Sequence, residues 1–188
     1  MKTIVTEMKI PDVRQIAVEK FGDERGFFAE VYNEKTFKTL GLATHYVQDN
    51  HSRSAKNVLR GFHYQDMNAP QGKLVRCSLG KIIDIAVDIR VGSPTFGQFV
   101  SAELSADNLL QLYVPVGFAH AFLVLSDFAE VQYKCTGFYN PAAEGNIIWN
   151  DPDIAFPWPI DDPILSQRDQ AASSLQTYLK QPAFIYGK

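Results

Sequence analysis

The sequence predicts an all-β chain, folded as an antiparallel sandwich or jelly roll. Apolar and polar residues alternate over many short segments, turn residues separate the segments, and helical periods are missing between them. The segments with this pattern span 15–21, 46–51, 58–65, 73–79, 83–90, 99–104, 109–114, 119–125 and 129–136. Between them lie Gly80, Gly92-Ser93-Pro94, Ala106-Asp107-Asn108, Pro115 and Gly137, all residues that favour turns. In 83–90, Ile83, Ile85, Val87 and Ile89 share one face while Asp84, Asp88 and Arg90 share the other, which predicts a half-buried strand with one wet side.

Helix is expected in two places. Over 33–40, Asn33 is suited to cap the N-terminus and Gly41 to end the helix; the second stretch lies around 166–179. The segment 149–159 carries too much proline for a central strand and reads as a strap across the barrel, leading to Leu165-Ser166-Gln167-Arg168-Asp169. A length of 188 residues suits one domain that buries roughly 70 % of its unfolded surface. Its core is expected over about 10–150, with strap and helix over about 151–188.

With 18 basic and 21 acidic side chains, a formal charge of -3 and no run of like charges, the chain lacks the footprint of a nucleic-acid-binding face or a polybasic membrane patch. No apolar stretch approaches the ~20 residues of a membrane helix, and the first residues lack the apolar run of a signal peptide, so the expected location is the cytoplasm. Cys77 and Cys135 show neither CxxC nor ligand spacing, which leaves no disulfide framework and no zinc site to expect.

Alternation also sorts the chemistry-bearing residues. Tyr133 shares a face with Val131 and Cys135, so its phenol points inward. Lys73 groups with Val75, Cys77 and Leu79, placing an ammonium at the inner end of a strand, where it is costly unless it meets an anion. His120 has Phe122 and Val124 as face-mates. Arg60 and His63 are three apart, so a regular strand would send them to opposite faces; Gly61 can host a bulge that turns both inward. Singly, each has an ordinary structural reading, such as a hydrogen-bonded core histidine or a snorkelling lysine. Jointly, so many polar groups on inner faces predict an enzyme that binds an anion and moves a proton.

The motifs FGDERGFFAEVYN (21–33), VQDNHSRS (47–54), VLRGFHYQ (58–65), QGKLVR (71–76), DIRVGSPTFGQ (88–98), PVGFAHAFLVLSD (115–127), YKCTGFYNP (133–141) and LSQRD (165–169) occur in one order. Over about 10–169 the chain resembles the dTDP-4-dehydrorhamnose 3,5-epimerase family. That resemblance implies a cupin-type jelly roll, commonly a homodimer, which epimerises a dTDP-linked 4-keto-6-deoxy-hexose at carbons 3 and 5 with neither metal nor cofactor. It further implies that His63 is the base, Asp169 its orienting partner, Tyr133 the proton donor and Lys73 the group that steadies the enolate. Arg25, Glu30, Gln48, Asn50, Arg60, His120, Glu144 and Arg168 fall where the family binds the nucleotide-sugar. Three departures, Phe62 for Leu, Ala121 for Gly and the order Glu144-Gly145-Asn146, are expected to bear on pocket width and on the aim of Glu144.

The chemistry fits this assignment. Carbons 3 and 5 both flank the carbon-4 carbonyl, so removal of either proton gives an enolate with its charge on one oxygen, and one site can serve both centres. Three rivals stand beside it. A metal-dependent cupin would want a His-x-His pair, but Gln65 follows His63 at that spacing. A non-catalytic binding jelly roll has no use for His63, Tyr133 and Asp169 together. The closest rival is an epimerase acting at a single carbon or on another nucleotide-linked 4-keto-6-deoxy sugar.

Overall fold

Two antiparallel sheets face each other in the structure, a computed structural model that describes residues 1–187. The larger has six strands, in spatial order β1 (Thr3–Glu7), β2 (Arg14–Val18), β10 (Gln111–Val114), β7 (Lys73–Leu79), β12 (Phe128–Cys135) and β5 (Gln48–Ala55). The smaller has five: β13 (Glu144–Asn146), β6 (Leu59–Gln65), β11 (Phe118–Val124), β8 (Lys81–Asp88) and β9 (Phe99–Ser105). A separate hairpin pairs β3 (Phe21–Asp23) with β4 (Gly26–Phe28). Val75, Cys77, Leu112, Ala129 and Val131 from the first sheet meet Ile82, Ala86, Leu104, Phe122 and Val124 from the second in one buried cluster, which is the sandwich core. The all-β antiparallel sandwich expected from the alternation is therefore the observed one.

The strand 83–90 departs from its expectation. Ile85, Val87 and Ile89 are buried as foreseen, but Asp84 and Asp88 are fully buried too, so β8 has no wet side. Ile82 and Ala86 turn into the sandwich core while Ile85 and Val87 pack beneath the C-terminal segment with Ile154, Phe156 and Phe184. The strap supplies the missing cover. Leu79, expected inside, is 43 % exposed, because the β7–β12 register shifts between Glu130 and Val131 and the strand end leaves the core.

The first helix forms as foreseen: α1 (Glu34–Thr39) is capped by Asn33, whose side chain accepts from the Thr36 amide, and Gly41 follows in a left-handed conformation at φ 69°. The C-terminal stretch is not one helix. Ser166 and Ser174 each cap a single turn, α2 (Gln167–Gln170) and α3 (Leu175–Tyr178), because each serine side chain accepts a backbone amide three residues on and restarts the chain. Asp151 accepts from the Leu175 amide at 2.8 Å and Trp158 donates to the Trp149 carbonyl at 2.8 Å, which ties the strap to itself and to α3, while the Leu59 amide on β6 donates to the Ile164 carbonyl at 3.0 Å.

At Gly61 the ladder is irregular, as expected. His120 pairs with His63 and Phe122 with Arg60, so Gly61 and Phe62 of β6 oppose the single Ala121 of β11. Arg60 and His63 thereby come to one side. Phe62, fully buried against Trp158 at 6.0 Å between ring centroids, turns to the strap side, so it does not set pocket width. Gly61 has φ 129°, and a Cβ built there would lie 2.4 Å from the Ala121 Cβ. Gly61→Ala is expected to cost about 3 kcal/mol through backbone strain and overpacking, read as a lower urea midpoint, with loss of activity in the fraction that still folds.

Candidate active site

A cavity of about 280 Å³ opens between the sheets, with His63, Arg60 and His120 on the five-stranded side and Lys73, Tyr133, Asn50 and Gln48 on the six-stranded side. Glu144 and Arg168 stand at its mouth. The side chains converge because β5, β7 and β12 present alternate residues inward while the bulge of β6 gathers Arg60 and His63. A second depression of about 300 Å³ lies against the outer face of the large sheet, but its imidazole, His51, is exposed and occupied by Glu130 at 3.1 Å.

His63 Nε2 lies 2.5 Å from Asp169 Oδ1. Asp169 is buried at the end of the strap segment, where its amide is capped by Ser166, so a carboxylate from α2 reaches a histidine on β6. With Nε2–H donating to Asp169, Nδ1 carries the lone pair. Arg168 Nη2 lies 2.8 Å from Nε2 and 3.3 Å from Nδ1. Because Nε2 is committed as a donor and a guanidinium accepts nothing, its nearer approach is packing of the two planes rather than a hydrogen bond. Burial holds His63 below its ordinary pKa of 6.5; the Asp169 bond opposes this, and the charges of Lys73 and Arg168 reinforce it. Burial works to raise the Asp169 carboxyl, but the bonds from His63 and Ser166 outweigh it and leave that carboxyl below the usual range.

Across the cavity, Lys73 has no hydrogen-bond or ion-pair partner among the described residues, and its Nζ is 5.8 Å from the Tyr133 ring centroid. Burial lowers the Lys73 pKa, while Cys135, Asp84 and Glu144 oppose the shift. Burial raises Tyr133, so the phenol is kept protonated. An unpartnered ammonium beside a protonated phenol, both facing a neutral imidazole, can receive a developing oxyanion and return a proton.

Around this core the polar groups are held by one another. Arg60 Nε donates to Ser54 at 3.1 Å, and Gln48 Nε2 donates to Asn50 Oδ1 at 3.1 Å while its own oxygen accepts from the Tyr139 amide at 2.9 Å. Arg168 pairs with Glu144 at 2.5 Å, and the Tyr139 hydroxyl donates to the same carboxylate at 3.1 Å. His120 Nε2 lies 2.7 Å from Asp84 Oδ1.

Arg25 and Glu30 do not join the cavity. Arg25 sits on the exposed β3–β4 hairpin, its side chain 85 % exposed and paired only with Asp23, and Glu30 accepts from Asn33 at 3.2 Å beside α1. Conversely, Tyr139 and Tyr64 line the cavity and are not singled out by the sequence, nor is Asp84 behind His120. Tyr139 lay within the YKCTGFYNP motif, which was its available signal. Among the described residues no group of three His, Cys, Asp or Glu side chains is placed to hold a metal ion.

A jelly roll whose two sheets set a histidine–carboxylate pair against a tyrosine and an unpaired lysine defines a class, isomerases that work by moving protons. The family model described as dTDP-4-dehydrorhamnose 3,5-epimerase matches residues 7–177, and the chain belongs to that family. Its relatives include the dTDP-4-dehydrorhamnose 3,5-epimerase of Salmonella typhimurium, 53 % identical over 94 % of this chain and 97 % of that one, and the enzyme of the same name from Escherichia coli, 50 % identical over 96 % and 97 %. Among solved structures, the dTDP-6-deoxy-D-glucose-3,5-epimerase of Legionella pneumophila in complex with dTDP-4-keto-L-rhamnose superposes with a TM-score of 0.94 at 43 % identity, covering all of both chains. A 3'-monoepimerase from Streptomyces bikiniensis in complex with dTDP-quinovose superposes at 0.89 with 32 % identity over 95 % and 91 %.

Since burial favours the uncharged ring, folded His63 should remain a free base as pH falls through 6.5. Its resonances in an NMR titration are expected to show a midpoint below that value. Asp169→Asn should move the midpoint lower still, because it removes the group that favours the charged ring.

Proposed function

We propose that this chain epimerises dTDP-4-dehydro-6-deoxy-D-glucose at carbons 3 and 5, giving dTDP-4-dehydro-L-rhamnose. The observation that supports this reading most is that His63 and Tyr133 line one cavity from opposite sheets, so a hexose between them has a base on one face and an acid on the other. His63 Nδ1 takes the proton from carbon 3 or carbon 5, and Asp169 orients the ring and stabilises the imidazolium that forms. Lys73 meets the enolate oxygen at carbon 4, and Tyr133 returns a proton from the far side, inverting the centre. Arg168 Nη2 lies 3.3 Å from Nδ1, so substrate must draw it aside, and its pairing with a diphosphate oxygen supplies the reason to move.

Arg60 supplies a guanidinium for the diphosphate, with His120 and Glu144 nearby for the sugar, and Gln48 and Asn50 for polar edges of the nucleotide. The half-exposed ring of Tyr139, adjoining those amides at the mouth, offers a face for stacking a base. Arg25 and Glu30 serve the nucleotide only if the hairpin reaches a second copy, and we therefore assign the chain to a homodimer. The hairpin's exposed Phe21, Phe27 and Phe28 favour cover by a partner. Sedimentation is expected to give twice the chain mass, and Arg25→Ala to raise KM although Arg25 is remote from its own cavity. The two cysteines, buried and unpaired, fit a reducing cytoplasm.

Incubation with the dTDP-linked 4-keto sugar in deuterium oxide tests the reading. Label is expected at both carbons; label at carbon 3 alone would replace it with mono-epimerisation. His63→Ala should abolish the exchange, lowering turnover by about 10²–10⁴ while dTDP still binds. Tyr133→Phe should keep wash-in of deuterium but suppress the inverted product, and normal product formation would remove Tyr133 from the mechanism. Lys73→Met should lower kcat by about 10²–10³ with a smaller change in KM.

A further inference from the structure

Asp84, a buried carboxylate behind His120, has no role in the proposed mechanism. It is fully buried on β8, with Oδ1 2.7 Å from His120 Nε2, and its Oδ2 is sealed from solvent with no partner among the described residues. Buried carboxylate oxygens are normally satisfied, and an orphan beside a cavity-lining histidine calls for a reason. Register explains the placement: Asp84 pairs with Phe122 and Ala86 with His120, so Asp84 is the diagonal same-face neighbour of His120, which itself stands opposite His63 on β6.

The neighbours of Lys73 narrow the role. From β12 come Cys135 and Tyr133, both held neutral by burial; from β6, His63 and Arg60; from β11, His120; from β13, Glu144; from α2, Arg168; and from β8, Asp84. Two of these are carboxylates. Glu144 is tied to Arg168 at 2.5 Å and to Tyr139, so its charge is compensated at contact. Asp84 has only an imidazole on one oxygen and nothing on the other.

We infer that Asp84 is a positioning residue for the epimerisation: one oxygen fixes the ring of His120, and the other, unpaired on the inner face of β8, supports the charged form of the Lys73 ammonium where the enolate oxygen forms. The inference rests on the reading of Lys73 given above. It adds a second histidine–carboxylate pair beside His63–Asp169 with a different task, since His63–Asp169 moves a proton and His120–Asp84 prevents one from leaving.

Asp84→Asn separates charge from shape, because the amide oxygen can still accept from His120 Nε2–H. The pH profile of kcat is then expected to lose its alkaline limb earlier, by about one pH unit, as Lys73 gives up its proton more readily. Binding of dTDP should be unchanged. An alkaline limb left in place, whatever the change in melting temperature or absolute rate, would reduce Asp84 to a structural residue and overturn the inference. Should the variant not fold, the wild-type protein carries the test: the Asp84 carboxyl carbon resonance is expected to shift with the same midpoint as the alkaline limb, and a resonance blind to it overturns the inference equally. If wild-type protein gives no turnover of the dTDP-sugar, the functional reading fails first; if it turns over normally and only the limb is unmoved, this inference alone falls.

Discussion

A β-strand offers every second side chain to a cavity, and an imidazole and a guanidinium three residues apart cannot both be presented by a regular one. The extra residue at Gly61 removes that conflict, and much else depends on it. It brings Arg60 beside His63, turns Phe62 outward into the strap cluster, and sets His63 directly across from His120. The close approach of Ala121 fixes the residue type, since any side chain at position 61 would occupy space already filled. Local backbone irregularity here is the means by which one strand feeds two kinds of chemistry into one chamber.

The chamber is polar although the sandwich is apolar, and its electrostatics follow from what is left unpaired. His63 and Asp169 neutralise each other's needs, Glu144 and Arg168 do the same at the mouth, and Arg60 leans on a hydroxyl. Lys73 alone among the inner cations has no partner among the described residues. Desolvation makes such an ammonium expensive to keep charged, and the same desolvation strengthens its attraction for an oxyanion when one appears. Burial thus favours a neutral imidazole and a protonated phenol and lowers the pKa of the ammonium, one physical cause behind all three shifts.

Much of this was legible in the sequence, for physical reasons that differ by residue. Tyr133 and Lys73 lie on strands with a strict period of two, so counting placed them, and the three-residue gap around a glycine was enough to expect the bulge. Asp84 was assigned to a wet face because alternation gives two phases but not which of them looks inward; with Ile82, Ile83, Ile85, Ala86 and Val87 in one run, both faces are apolar. The C-terminal helix divided because two serines cap in succession, a competition that periodicity does not register. Arg25 and Glu30 carried a family position but no intrachain geometry, and their distance from the cavity follows from the projecting hairpin.

His63 and Asp169 are separated by 106 positions along the chain, one in the sandwich and the other on a one-turn helix capped by Ser166. Segments of that kind open in native proteins at lower free energy than the sheets beneath them. The His63–Asp169 bond is therefore expected to open at a lower temperature than the sandwich unfolds.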